Sequence, residues 1–205
     1  MANPRRVKRL FDMFSAAAGL VLTAPLTLLT ALLIRATMGR PVLFRQQRAG
    51  LGGALFQLYK FRTMRIGPQP DGARLTTLGR FLRAASVDEL PQLWNVLRGE
   101  MSLVGPRPLM AQYLPLYSPR QMRRHQVRPG ITGWAQVRGR NTLPWRRKFE
   151  LDLWYIDHWS PWLDLKILAL TAWRLLYPKD IRTAGHATME PFEGDVPDDS
   201  MMPHA

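Results

Sequence analysis

The longest apolar stretch of the chain lies near its N-terminus. It runs from Leu10 to Ile34, 25 residues that carry a single charge, Asp12. As a straight helix it would measure roughly 37 Å, which is enough to span a bilayer. The pattern therefore predicts a membrane-embedded helix.

Two features of this stretch favour a helix that enters and leaves the membrane on the same side. Both flanks are basic, whereas positive charge normally marks only the cytoplasmic end of a span. The flanking basic residues are Arg5, Arg6, Lys8, Arg9, Arg35 and Arg40. Pro25 lies deep within the stretch and favours a bend. We therefore predict a re-entrant helix, with a plain transmembrane helix, a cleaved signal peptide and a buried soluble helix as the alternatives.

The pattern beyond the apolar stretch changes to short runs that are typical of strands. Apolar runs at 41–44 and 55–59 are separated by a segment that contains three glycines. This spacing indicates a β-hairpin. The second strand is expected to continue into residues 60–64.

Two short helices are predicted next. The first is capped by Thr76 or Thr77 and has an apolar and a basic side, as expected of a helix in a membrane interface or of an ordinary surface helix. Its apolar side carries Leu78, Phe81 and Leu82, and its basic side carries Arg74, Arg80 and Arg83. The second begins at Ser86, has Glu89 three residues later as a capping box requires, and ends at Gly99.

The rest of the pattern predicts an α+β fold. Residues 104–108 form a proline-rigid turn, residues 128–141 have the composition of a binding loop, and two further helices are expected at 145–160 and 162–177. We divide the chain into three segments. These are a membrane helix with basic flanks at 1–40, a mostly helical domain with a β-hairpin at 41–182, and a disordered acidic tail at 183–205.

Composition narrows the chemistry that this chain can perform. It has no cysteine, which excludes disulfides, thiolate zinc sites and a cysteine nucleophile. Its net charge is +14, although the segment after Arg182 contains acids and no Lys or Arg. The body therefore favours a polyanionic partner, which can be anionic lipid, nucleic acid or a phosphorylated substrate.

The adjacent acids Asp88 and Glu89 are the strongest candidates for chemistry. Neighbouring side chains on a helix point about 100° apart, so one carboxylate can face a substrate while the other faces a metal ion. The alternative is structural, because acids in the first turn of a helix offset its dipole and Glu89 can be only a capping residue.

Several basic residues with rigid or glycine-bearing surroundings are candidate phosphate contacts. They are Lys60 and Arg62 after the second predicted strand, Arg107 between two prolines, and Arg128, Arg138 and Arg140 around a glycine-bearing segment. Mg²⁺ prefers one or two carboxylates together with substrate phosphates. A diphosphate substrate held by Mg²⁺, one acid and several arginines is therefore chemically coherent.

Two long motifs of the chain resemble the bacterial sugar transferase family, the small monotopic phosphoglycosyl transferases. They are SVDELPQLWNVLRGEMSLVGPRP at 86–108 and RPGITGWAQVRGR at 128–140. Shorter matches at 7–12, 41–46, 59–64 and 152–168 extend the resemblance over nearly the whole chain before the tail.

The resemblance implies a Mg²⁺-dependent membrane enzyme whose catalytic domain faces the cytoplasm, with Asp88 and Glu89 as its catalytic pair. Asp88 would attack the sugar-linked phosphate of a UDP-sugar and release UMP, and undecaprenyl phosphate would then take the phosphosugar from Asp88. Glu89 would help to bind Mg²⁺. The implied substrate contacts are Lys60, Arg62, Arg107, Arg128, Gln136 and Arg138.

The same resemblance implies three partners, namely a UDP-sugar, polyprenyl phosphate and membrane lipid, and no nucleic acid. The products would initiate the assembly of surface polysaccharides. One departure from the family pattern concerns the membrane helix, where Ala24 stands in place of the serine that often precedes the proline. A basic, non-catalytic membrane adaptor and a phosphatase or nucleotidyl transferase are the alternative functions.

Overall fold

The structure is a computed structural model that describes residues 4–139, 143–177 and 191–194. The described elements are α1 (Pro4–Met38), β1 (Leu43–Ala49), β2 (Leu55–Phe61), α2 (Asp71–Arg74), α3 (Thr77–Ala84), α4 (Gln92–Arg98), β3 (Ser102–Val104), α5 (Pro119–Met122), β4 (Gly130–Thr132), α6 (Trp134–Arg138), α7 (Trp145–Asp157) and α8 (Pro161–Leu176). Short 3₁₀ turns lie at Leu51–Gly53, Val87–Glu89, Ala111–Leu116 and Arg123–Gln126. The fold is therefore a mixture of helix and strand, as predicted.

The predicted hairpin is confirmed. β1 and β2 pair antiparallel, with Leu43 opposite Phe61 and Ala49 opposite Leu55. β2 alternates in burial, so that Phe56 and Leu58 enter the core while their neighbours face outward. This alternation fixes the register of the hairpin.

The segment 128–141 is more regular than the predicted binding loop. It contains β4, which pairs parallel to β3, and then α6. Its glycines permit close backbone contact, because a Cβ on Gly130 would lie 2.1 Å from the backbone nitrogen of Gly105. The two motifs at 86–108 and 128–140 are thus parts of one packed structure.

Helix α1 is long and apolar enough to cross a membrane by length and composition, and it continues through Pro25. Many of its large side chains are exposed, among them Val21 and Leu22 at 75% and 80%. At the other end of the scale, Ala16 and Ile34 are fully buried. The helix therefore has one face against the domain and an apolar face with no covering among the described residues.

Both halves of α1 contact the domain. In the first half, the Asp12 carboxylate accepts hydrogen bonds from the Ser102 hydroxyl at 2.8 Å and from the Leu103 backbone N–H at 3.2 Å. In the second half, Ile34 packs with Phe61 of β2 and Leu82 of α3. The helix therefore lies along the domain instead of projecting from it.

The neighbourhood of Pro25 retains a hydroxyl bond although Ala24 replaces serine. The Thr23 hydroxyl donates to the Gly19 carbonyl at 2.7 Å. A bond of this kind tends to bend a helix. Thr23 thus supplies, one residue earlier, a contact of the type that the Ala24 departure removes.

The predicted cap of α3 is confirmed, because the Thr76 hydroxyl accepts from the Gly79 N–H. Leu82 of this helix is buried, whereas Phe81 is 67% exposed. On α8, Trp162 and Trp173 are also exposed. Large apolar side chains thus face outward from α3 and α8 as well as from α1.

The contact between Asp12 and β3 gives a test of how α1 is held. We expect Asp12→Ala to lower the free energy of unfolding by about 1–3 kcal/mol, because the Leu103 backbone N–H loses its acceptor and the buried Ser102 hydroxyl keeps only the Val104 carbonyl. Phe14→Ala is the matched control, since Phe14 is 73% exposed on the same helix. Thermal unfolding in detergent measures both, and equal losses of stability would contradict this account.

Candidate active site

Asp88 and Glu89 lie in the 3₁₀ turn Val87–Glu89 between α3 and α4. The predicted capping box is wrong: Ser86 makes no side-chain cap and has a left-handed backbone, with φ of 56°. Helix α4 begins at Gln92, directly after Pro91, because a proline ring fits best at the start of a helix and disfavours a further helical turn before it. Its predicted end at Gly99 is confirmed, with φ of 84°.

The left-handed Ser86 is unusual for a residue with a side chain. It is the only such non-glycine residue in the described part of the chain. This conformation costs of order 1–3 kcal/mol and persists only where the surroundings enforce it. Because Ser86 lies two residues before Asp88, the packing that enforces its conformation also fixes the turn that carries the acidic pair.

Glu89 is clamped between two cations. Its Oε1 accepts from Lys60 Nζ at 2.6 Å and from Arg107 Nη2 at 2.9 Å. Lys60 comes from β2 and Arg107 from the proline-rigid turn after β3. Burial alone would raise the pKa of Glu89, but Arg107 and Lys60 outweigh it and lower the pKa to about 2. Glu89 is therefore ionised at every physiological pH.

Asp88 has the opposite electrostatic character. Its side chain is buried, and among the described residues no side chain donates a hydrogen bond to its carboxylate. Burial raises the pKa of Asp88 to about 6, and the negative charge of Glu89 raises it further. The positive charges of Lys60, Arg83 and Arg107 lower this pKa, but by less. Two neighbouring carboxyls with separated pKa values are typical of sites where the two groups have different tasks.

The backbone of Arg107 is held by the buried ion pair between Arg124 and Asp152. Arg124 Nη2 donates to the Arg107 carbonyl at 2.8 Å and to Asp152 Oδ2 at 2.7 Å. Arg124 and Asp152 are both buried, and burial raises the pKa of Asp152 although Arg124 opposes it. No local pattern predicts this ion pair, because its members lie on different elements, 28 residues apart.

Three further cations near the site were not predicted as substrate contacts. Arg48 donates to the Pro108 carbonyl at 3.2 Å, and burial together with Arg107 lowers the pKa of Arg48 to about 10. Burial and Arg107 also lower the pKa of Lys148 to about 8. Arg83 interacts with Asp88 and donates to the Thr63 hydroxyl. The site thus carries more positive charge than Glu89 can offset.

Four of the predicted substrate contacts form no hydrogen bond or ion pair with the acidic pair in the described structure. Arg62 is buried and donates to the Met38, Gly39 and Arg40 carbonyls at the end of α1. Arg128 donates to the Gly99 carbonyl at 2.8 Å. The Gln136 amide is buried with no hydrogen-bond partner among the described residues.

Arg138 is exposed and lies over the Trp134 ring at 4.2 Å. It lines a cavity of about 700 Å³ with residues of α7, and none of Asp88, Glu89, Lys60 and Arg107 lines that cavity. Arg140 lies outside the described residues. Of the predicted substrate contacts, the structure therefore brings Lys60 and Arg107 to the acidic pair.

The acidic pair suits a metal ion that is shared with a substrate. Within the described residues, no group of three or more His, Cys, Asp or Glu side chains could hold an ion. Mg²⁺ accepts one or two carboxylates when substrate phosphates complete its shell. Asp88 and Glu89 offer such a donor set.

The raised pKa of Asp88 predicts how stability depends on pH in metal-free protein. Between pH of about 4 and 6 the folded state binds more protons than the unfolded state, so this carboxyl lowers stability as pH rises through that range. Asp88→Asn removes the effect. We compare the free energy of unfolding of Asp88→Asn with that of wild type at two pH values. The difference should favour the variant by about 1–3 kcal/mol more at pH 8 than at pH 4.

Thermal unfolding with a chelator present measures this difference. Asp157→Asn is the control, because Asp157 is exposed and paired with Arg123 outside the site. A relative stability of Asp88→Asn that does not change with pH would show that Asp88 titrates normally.

Comparison with known proteins identifies the family. The model of the bacterial sugar transferase family matches residues 3–178. An uncharacterized sugar transferase of Bacillus subtilis, EpsL, is 53% identical over 194 residues, which cover 92% of this chain and 96% of that protein.

Two further relatives carry more specific names. A UDP-glucose:undecaprenyl-phosphate glucose-1-phosphate transferase of Caulobacter vibrioides is 49% identical over 82% of this chain and 69% of its own length. A UDP-N-acetylgalactosamine-undecaprenyl-phosphate N-acetylgalactosaminephosphotransferase of Aeromonas hydrophila is 41% identical over 80% of this chain and 42% of its own length. With the Asp88–Glu89 site and the matches over nearly all of its described elements, this chain belongs to the bacterial sugar transferase family.

Proposed function

We propose that this chain transfers a sugar 1-phosphate from a UDP-sugar to undecaprenyl phosphate through a covalent intermediate on Asp88. The names of the relatives support the substrates. The observation that carries the proposal is the division of roles in the acidic pair. Lys60 and Arg107 both bind Glu89, while Asp88 is buried beside them with a raised pKa.

The first step is displacement at phosphorus. An Asp88 oxygen forms a bond to the sugar-linked phosphorus, and the bond from that phosphorus to the oxygen of UMP breaks, so that UMP leaves with the electron pair. A pKa of about 6 leaves Asp88 ionised at neutral pH and more basic than an ordinary aspartate. The product on the protein is an acyl phosphate that carries the sugar.

The second step returns Asp88 to its starting form. An oxygen of undecaprenyl phosphate attacks the same phosphorus, and the Asp88 carboxylate leaves. The products are an undecaprenyl diphosphate sugar and free enzyme. Lipid-linked products of this type initiate the assembly of surface polysaccharides.

Positive charge around the acidic pair suits a diphosphate donor. Arg107 presents a guanidinium fork that is 46% exposed although one of its nitrogens binds Glu89, and such forks match phosphate oxygens. Lys60 binds the same carboxylate oxygen of Glu89 as Arg107 does. Mg²⁺, held by Glu89 with Asp88 nearby, would neutralise charge on the diphosphate and polarise it.

The geometry of α1 supports membrane entry and exit on one side. Asp12 and Ile34 are separated by roughly 33 Å in a straight helix, yet both are buried against the same domain. A domain on one side of a bilayer cannot contact both ends of a straight spanning helix. We therefore propose a re-entrant α1 in the bacterial cytoplasmic membrane, with the domain on the cytoplasmic side as the basic flanks favour.

We expect Asp88→Asn to abolish UMP release while membrane binding persists. The amide lacks the charge that attacks phosphorus, and α1 is unaffected. Purified protein is incubated with a panel of UDP-sugars, undecaprenyl phosphate and Mg²⁺ or chelator, and UMP and the lipid product are measured. Asp157→Asn is the control and should keep its activity.

Mass spectrometry of protein incubated with donor alone should find the phosphosugar on Asp88. Full turnover by Asp88→Asn would rule out the covalent route. Release of inorganic phosphate, or transfer of the nucleotide, would instead identify a phosphatase or a nucleotidyl transferase.

We expect Arg107→Ala to lower kcat/KM for the UDP-sugar about 10- to 100-fold, because a charge-assisted bond to phosphate contributes roughly 1.5–3 kcal/mol. Arg146→Ala is the matched control, since the Arg146 side chain is 86% exposed on α7. Steady-state kinetics with a varied donor measure both variants. An unchanged kcat/KM in Arg107→Ala would remove Arg107 from the donor site.

A further inference from the structure

A short piece of the C-terminal segment is docked on the domain. The predicted disordered tail lies mostly outside the described residues, but residues 191–194 are described, and there Phe192 is only 4% exposed. The family match ends at residue 178. Phe192 is therefore a buried contact that lies beyond the part of the chain matched to the family.

Phe192 occupies a cage of four aromatic rings. Its ring centroid lies 5.1 Å from Phe149, 5.4 Å from Trp145, 5.7 Å from Tyr117 and 5.8 Å from Tyr113. Two of these contacts are edge-to-face, the arrangement that aromatic pairs prefer. The four rings come from two separate parts of the domain. Tyr113 and Tyr117 lie in and directly after the 3₁₀ turn Ala111–Leu116, and Trp145 and Phe149 lie on helix α7.

Arg124 connects the aromatic cage with Arg107 and so with the acidic pair. The Arg124 guanidinium lies 5.9 Å from the centroid of Tyr117 and 5.5 Å from that of Phe149. The same guanidinium binds the Arg107 carbonyl at 2.8 Å, and Arg107 binds Glu89 at 2.9 Å. A chain of direct contacts thus connects Phe192 with the acidic pair.

Arg124 depends on this cage for its position. Its Nε is buried without a hydrogen-bond partner, so its polar contacts hold only the end of the guanidinium. The faces of Tyr117 and Phe149 support the rest of the group. Phe192 contacts these two rings and the other two members of the cage. Its removal would therefore leave space into which Tyr117 and Phe149 could shift.

We infer that Phe192 is a positioning residue, which holds Arg107 in place through the cage and Arg124. The inference rests on the proposed function for its effect on turnover. The acidic segment around Phe192 is then part of the working enzyme. Its role is to complete the support of the donor site from outside the family-matched region.

The first test measures the position of Arg107 without any reaction. Gly105 and Arg107 are the residues of the Gly-Pro-Arg-Pro turn that carry a backbone N–H. We expect Phe192→Ala to speed hydrogen exchange at least about fivefold at the Gly105 amide, which donates to the Thr132 carbonyl at 2.9 Å and lies in the same turn as Arg107. Glu193→Ala, at the exposed neighbour of Phe192, should leave this exchange unchanged. Unchanged exchange in Phe192→Ala would overturn the inference whether or not the protein releases UMP.

The second test is a double-mutant cycle on the KM for the UDP-sugar. We expect Phe192→Ala to raise this KM about 5- to 20-fold in the wild-type background and less than about twofold in Arg107→Ala, because coupled residues are not additive. Phe192→Leu fills the cage and should stay within about threefold of wild type. Equal increases in both backgrounds would mean that Phe192 affects donor binding independently of Arg107 and would overturn the inference.

Thermal unfolding of each variant shows that it is folded at the assay temperature. If Phe192→Ala does not fold, Phe192→Val removes less of the wedge and enters the same cycle with the same expected direction. Absence of UMP release by the wild-type protein would refute the proposed function alone, since the exchange experiment decides the connection between Phe192 and Arg107 independently.

Discussion

The clamp on Glu89 is the contact on which the rest of the site depends. Lys60 and Arg107 reach the same carboxylate oxygen from two different parts of the fold, the hairpin and the turn after β3. This contact fixes one acid as a permanent anion. It also leaves the neighbouring Asp88 without a hydrogen-bond donor among the described side chains, so that burial decides its pKa. One pair of ionic contacts therefore gives two adjacent carboxyls different chemistry.

Small residues let helix α1 pack closely against the domain. Gly19 lets α1 approach α4 closely, because a Cβ there would lie 3.2 Å from Leu93 Cδ1. Ala16 is fully buried in the cluster that also holds Phe56 and Val96. The helix that carries the uncovered apolar face is thus packed on α4, which follows the acidic turn. A lipid substrate of the proposed function would reach the site along this helix.

Local features of this fold were readable from the sequence. The glycine-bearing gap predicted the hairpin, and Thr76 and Gly99 predicted helix ends. Among the candidate site residues, Lys60 and Arg107 do contact the acidic pair in the structure. Each of these depends on a few neighbouring residues or on a motif. The start of α4 was misread because Ser86 and Glu89 match a capping box, whereas Pro91 and the left-handed Ser86 place the acids in a 3₁₀ turn.

Features that depend on contacts between distant segments were not readable. Arg124 is separated from Asp152 by 28 residues, and Phe192 from Tyr113 by a larger part of the chain. Nothing in the spacing of these residues indicates that they meet. Arg62 is a further example, because its charge suggested a phosphate contact. In the fold it lies next to the C-terminal end of α1, where it donates to three backbone carbonyls instead.

The excess of positive charge at the site is consistent with a structure that is completed by its substrate. Arg48, Lys60 and Lys148 all have lowered pKa values, in each case with burial as the largest cause and Arg107 as a further one. These groups repel one another, and Glu89 alone does not neutralise them. A diphosphate would supply the missing negative charge and would also compete with Glu89 for Lys60 and Arg107. In the proposed function, binding of the donor would thereby free Glu89 to hold a metal ion together with the donor phosphates.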